Sequence, residues 1–229
     1  MLEDAKASLE ADGYEVLMGI MTPVSDGYGK KSLISASHRF AMTVIATENS
    51  NWIRADKWEC SIPEWTTTLC VLKYHENEAK KCFGNDVEVF LLVGGDVVET
   101  FDKFYADGTP IWKQEDVAEI VSTGLIVQPR PGSSPEKTIS DMKLNSDLSN
   151  VHIIKNAIAS NAISSTKLRQ AIKENRSIKY LKESSNTSKK PIYTSKSDPI
   201  SNFQKFAPML IYTETKQATL VRRFCSPYE

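Results

Sequence analysis

Val87–Val93 (VEVFLLV) is the most apolar run in the chain and constrains the fold more than any other segment. A strand with apolar side chains on both faces must be covered on both faces, which is the signature of a parallel sheet flanked by helices. The neighbouring segments agree with that architecture. Tyr14–Met21 reads as a second buried strand ending in Thr22-Pro23, Trp52–Trp58 and Gly124–Gln128 are strand-like, and Val151–Ile154 is a short strand. Helical spacing of apolar residues alternates with them. It appears over the first residues up to Gly13, over Ser35–Glu48, from Pro63 to about Lys81, over Gln114–Val121, and from Ser164 through Ile172. The order predicts an α/β fold, a Rossmann-like doubly wound parallel sheet. In such a sheet ligands sit beyond the strand C-terminal ends, where the strand order reverses.

Composition excludes several classes. The 229 residues carry 28 basic and 29 acidic side chains, unlike a strongly basic nucleic-acid binder. No run of eighteen apolar residues occurs, so no membrane-spanning helix is expected. The four cysteines lack CxxC spacing and read as reduced thiols, which with the absence of a leader predicts an intracellular protein of nucleus or cytoplasm. His38, His75 and His152 form no paired motif. A homo-oligomer is compatible with the sequence.

The averages conceal two unlike parts. All ten glycines lie at or before Gly132, and twelve of the nineteen residues from 184 to 202 are Ser, Thr, Asn or Pro. A boundary near Glu183 therefore divides an α/β domain, residues 1–183, from a Ser/Thr/Lys-rich and poorly ordered tail, residues 184–229.

The polar and glycine-bearing motifs follow strands. Ser165 and Thr166 at a helix start, with Lys167 and Arg169 in its first turn, combine backbone donors and cations where a phosphate would bind; a plain Ser/Thr cap with solvated basic residues is the alternative. Gly94-Gly95-Asp96 either lets a ligand approach the backbone, with Asp96 accepting from a ribose hydroxyl, or is a tight turn capped by Asp96. Lys30-Lys31 is either a second phosphate site or a solvated pair. Core packing is the default for each of the four tryptophans, and Trp65 and Trp112 are the two suited to stacking on a flat ring.

Taken in order, GIMTPVSDGYGKK (19–31), NWIRADKWE (51–59), EWTTTL (64–69), LLVGGDVVETF (91–101), IWK (111–113), GLIVQPR (124–130) and ISSTKLR (163–169) resemble eukaryotic nicotinamide mononucleotide adenylyltransferases over residues 2 to 181. The resemblance implies transfer of the adenylyl group of ATP to nicotinamide or nicotinate mononucleotide, with Mg²⁺ bound alongside ATP. By position, Ser165, Thr166, Lys167 and Arg169 would hold ATP phosphates. Lys30, Lys31, Trp65, Thr68, Gly94, Asp96, Trp112 and Arg130 would line the mononucleotide and dinucleotide site. No metal-ligating residue of the protein is implied.

The family also opens with a strand and a GxFxPxTxxH histidine motif, and this chain begins just after it. The expectation is a shortened chain that lacks its first strand, has no identified catalytic residue and turns over weakly or not at all. A non-catalytic paralogue or splice form that binds nucleotide or serves in protein interaction is the alternative. Loss of a central strand would strip two neighbours of their hydrogen-bonding partner. Two strand-like C-terminal segments, 207–213 and 218–224, offer a hairpin that would fill the gap.

Overall fold

The computed structural model describes residues 1–30, 33–142, 148–155, 170, 171, 174 and 215–223. Helices α1 (Leu2–Ala11), α2 (Ala36–Thr47), α3 (Trp58–Ser61), α4 (Thr68–Phe83), α5 (Gly95–Val98), α6 (Gln114–Thr123) and α7 (Pro135–Asp141) alternate with strands β1 (Tyr14–Pro23), β2 (Ile53–Ala55), β3 (Val87–Gly94), β4 (Leu125–Gln128) and β5 (Val151–Ile153). A sixth strand, β6 (Thr215–Arg223), is the last element among the described residues.

The six strands form one sheet in the order β2-β1-β6-β3-β4-β5. The pairs β1–β2, β3–β4 and β4–β5 are parallel, as the doubly wound reading requires. From β1 the chain crosses to β2 on one side, and from β3 it crosses to β4 and β5 on the other, so the order reverses between β1 and β3. That position is filled by β6, which pairs antiparallel with β1 over Tyr14–Pro23 and with β3 over Val87–Leu92. The sheet thus departs from an all-parallel one at its centre. A strand contributed from far along the sequence satisfies both facing ladders in the antiparallel sense.

The strands alternate their side chains between two cores. On one face Ile20, Val89, Leu91, Val127, Ala218 and Leu220 pack with Leu69, Leu72, Val117 and Ile120 of α4 and α6. On the other, Met21, Phe90, Leu92, Ile126 and Val221 pack with Leu2, Ala5, Leu9 and Met42 of α1 and α2. Helices therefore cover both faces, and β6 contributes to both cores.

The structure corrects three expectations. The position between β1 and β3 is not left open: of the two C-terminal segments proposed to fill it, the second does so, shifted to Thr215–Arg223, while residues 207–213 lie outside the described residues. The long helix begins at Thr68, not at Pro63, because the Thr67 hydroxyl caps it by accepting from the Cys70 N–H at 3.2 Å. Trp58 is not in a strand; it opens α3 and stacks on Tyr74 with ring centroids 3.9 Å apart. The helix expected from Ser164 to Ile172 falls mostly outside the described residues, of which Gln170 and Ala171 are helical.

Candidate nucleotide site at the strand C-terminal edge

β1, β3 and β4 end along one edge of the sheet in Pro23, Gly94 and Gln128, with β6 between β1 and β3, and the loops that leave them build the site. Gly94 pairs with Gln128 across the parallel ladder. The Gln128 amide, nearly fully buried, donates to the Asp4 carboxylate at 2.9 Å, which ties the end of β4 to the first turn of α1.

Beyond β3 the backbone turns directly into α5, and Asp96 in its first turn lies 3.1 Å from the Arg130 guanidinium. Asp96 is not the helix cap, which is Gly94. A Cβ on Gly94 would collide with the Asp96 carboxylate and stand 2.9 Å from Arg130 Nε, so glycine is what lets these two side chains close over the strand end. The loop carrying Arg130 is folded on itself by Ser133. Its hydroxyl accepts from the Arg130 N–H at 2.8 Å and donates to the Arg130 carbonyl at 2.9 Å. Ser134 N–H donates to Glu99 at 2.8 Å, which fastens this loop to the end of α5. The half-exposed Asp96–Arg130 pair adds little stability, about 0–1 kcal/mol, and its effect is to set orientation.

Beyond β1, a loop with a short 3₁₀ turn at Asp26–Tyr28 carries Lys30 into α2. It rests on the Pro63–Trp65 segment: Ser25 donates to the Glu64 carbonyl at 2.9 Å. A Cβ on Gly27 would lie 2.5 Å from the Pro63 carbonyl oxygen and 2.6 Å from the Trp65 nitrogen. The Lys30 loop and the Trp65 segment are therefore in direct backbone contact. Trp65 is 54% exposed, against the core packing that is the default for tryptophan, and presents its ring to solvent. Thr68 opens α4 three residues further on.

Trp112 is held differently. Its indole N–H donates to Thr100 at 2.9 Å and its ring meets Phe101 edge-on at 5.0 Å, which packs it against the core. The other two tryptophans have structural partners: Trp58 on Tyr74, and Trp52 donating to Glu3 at 3.1 Å with Lys6 above its ring. Of the twelve residues expected to bind ligand, the structure brings Gly94, Asp96 and Arg130 together, and sets the loop of Lys30 beside Trp65. Lys31, Ser165, Thr166, Lys167 and Arg169 lie outside the described residues.

Among the described residues no group of three or more His, Cys, Asp or Glu is arranged to hold a metal ion. No helix among them is long and apolar enough to cross a membrane. Cys60, Cys70 and Cys82 are free thiols. His152 lies 3.0 Å from Asp12 and His38 2.6 Å from Ser35, both within local structural contacts.

Sequence reasoning did not single out Arg39. It lies on α2 in line with Ala36, Met42 and Thr43, all buried, so a cation at helical spacing on a core-facing stripe was the available signal.

Comparison with known proteins matches this architecture to a family. The cytidylyltransferase-like family profile matches residues 1–171. The nicotinamide/nicotinic acid mononucleotide adenylyltransferase 2 of Caenorhabditis elegans is 43% identical over 183 residues, covering 79% of this chain and 82% of that protein. The corresponding adenylyltransferase 1 of Bos taurus is 35% identical, covering 79% and 76%, and the enzyme of Oryza sativa subsp. japonica is 37% identical, covering 79% and 72%. With the reversal of strand order, the glycine-lined edge and these relatives together, the chain belongs to the nicotinamide/nicotinic acid mononucleotide adenylyltransferase family of cytidylyltransferase-like proteins.

Proposed function

We propose that the site transfers the adenylyl group of ATP to nicotinamide or nicotinate mononucleotide, forming NAD or its deamido form. A phosphate oxygen of the mononucleotide attacks the α-phosphorus of ATP in line. The new P–O bond forms as the α–β bridge breaks, and pyrophosphate leaves with the electron pair. Such a transfer needs alignment and positive charge around the phosphates more than a protein nucleophile.

In this reading Gly94 admits the nucleotide to the end of β3, and Asp96 and Arg130 orient it. Lys30 neutralises the mononucleotide phosphate, Trp65 flanks the pyridine ring, and Thr68 and Trp112 complete that wall. Lys31 adds charge beside Lys30, while Ser165, Thr166, Lys167 and Arg169 receive the ATP phosphates. In this reading Mg²⁺ would be bound with ATP and would offset the charge of its phosphates.

The observation that carries the reading is the coincidence of the glycine-lined edge at the reversal of strand order with relatives named for this reaction. The test has two readouts on the purified 229-residue chain. Nicotinamide mononucleotide is expected to quench tryptophan emission through Trp65, and addition of ATP and Mg²⁺ to release pyrophosphate slowly. Absence of both quenching and pyrophosphate would overturn the proposal.

A further inference from the structure

The loop between β1 and α2 is tied at both of its ends to one buried side chain. Arg39 is 6% exposed, and its guanidinium reaches three oxygens of that loop. Nε donates to the Ile34 carbonyl at 2.9 Å, one terminal nitrogen donates to the Val24 carbonyl, and the other to the Asp26 carboxylate at 2.8 Å. The same Asp26 oxygen accepts from the Ala36 N–H at 2.8 Å. Val24 and Asp26 stand where the loop leaves β1, and Ile34 and Ala36 where it enters α2. A guanidinium is suited to this because its donors are fixed in one plane and hold several acceptors at once, which an ammonium on a flexible stem does not.

Between those ends the loop is also pressed onto the segment that carries Trp65, through the Ser25 hydroxyl and the close approach at Gly27. Three fixed regions thus bracket Lys30: the two ends held by Arg39, and the contact with residues 63–65.

We propose that Arg39 and Asp26 are positioning residues that make the Lys30 loop and the Trp65 segment a single preformed wall. That wall recognises a ligand by its two ends, an anionic phosphate and a flat heteroaromatic ring. The inference rests on the function proposed above and deepens it: mononucleotide recognition depends on a buried guanidinium that does not itself touch the ligand. Arg39 is directed into the chain, and its effect is the placement of Lys30 relative to Trp65.

The test compares Arg39→Lys, Asp26→Ala and Asp26→Asn with the wild type. The dissociation constants of nicotinamide mononucleotide and of ATP are read separately by calorimetry. Loosening the wall is expected to weaken mononucleotide binding about tenfold or more in Arg39→Lys and Asp26→Ala, while ATP binding stays within about twofold. Asp26→Asn keeps an acceptor oxygen at the same place and is expected to restore mononucleotide affinity to within about threefold of the wild type. Unchanged mononucleotide affinity in Asp26→Ala, or equal weakening of both ligands, overturns the inference. Should Arg39→Lys fail to fold, the two Asp26 variants decide by the same measure. If the wild type itself binds no mononucleotide, pyrophosphate release decides the proposed function, and the wall is judged by amide hydrogen exchange instead. Asp26→Ala must then speed exchange at the Gly29, Leu33 and Ala36 amides, and unchanged protection there overturns the wall as well.

Discussion

Leu220 lies opposite Val89 in an antiparallel register, in the middle of a sheet whose other neighbours run parallel. On its other side Leu220 pairs with Met18 of β1. It is 2% exposed and belongs to the core shared by α4 and α6.

Leu220→Ala is therefore expected to destabilise the protein by about 2–5 kcal/mol, the usual range for a large core side chain cut to alanine. Urea unfolding of the wild type and variant measures it. A loss below about 0.5 kcal/mol, the range of surface substitutions, would contradict a central placement of β6.

Removing residues 215–229 takes away the shared partner of β1 and β3. Both would expose inner backbone edges that are otherwise paired, and exposed strand edges promote association between chains. The shortened protein is expected to aggregate near room temperature, seen as rising light scattering. A monodisperse, cooperatively folding product would show that the two halves of the sheet close without β6.

Gly94→Ala places a methyl group against the Asp96 carboxylate and Arg130. Both are partly exposed and can swing away, so the fold is expected to tolerate the change at a cost of about 1–3 kcal/mol. The turn beneath the proposed nucleotide is disturbed directly. ATP or mononucleotide affinity is expected to fall more than tenfold by calorimetry, about 1.4 kcal/mol, while the thermal transition remains cooperative.

Cys60 gives a pH-dependent readout close to Arg39. Burial pushes its thiol above the ordinary range, with the Arg39 charge opposing that shift and Asp56 reinforcing it. A raised value means less thiolate at neutral pH, so alkylation by iodoacetamide should reach half its maximal rate at a higher pH than free cysteine does. Mass-spectrometric mapping of the Cys60 peptide across a pH series checks this, and a midpoint at or below that of free cysteine contradicts it.

The parts of the fold that were legible in the sequence are those written in local patterns. Val87–Gly94 announces a two-sided strand by its apolar run, and Gln114–Thr123 a helix by its spacing. The start of α4 is not legible because Pro63 imitates a helix-opening proline, whereas the residues beside it receive Ser25 and Gly27, a contact no local pattern encodes. In β6 Ala218 and Leu220 alternate with polar residues and Val221 follows on the opposite face, a pattern that marks a strand. Its direction and neighbours depend on pairing with residues far away in the chain. At the site, Gly94, Asp96 and Trp65 stood out as residue types that punctuate turns or bind rings. Arg39 and Asp26 did not, since an isolated charge is ordinarily read as solvated; the burial of Arg39 and its ion pair with Asp26 reveal their work.

The middle strand of this sheet is also the last to be made. About 120 residues of chain separate the end of β3 from the start of β6. At a synthesis rate of about 5–20 residues per second, β3 waits roughly 6–24 seconds for the strand that joins it to β1, and β1 waits longer still. Nascent chains arrested before residue 215 should accordingly be cut rapidly by protease within β3, and chains released whole should not. The sheet closes like a keystone arch, from both flanks inward, and it stands only once residues 215–223 are in place.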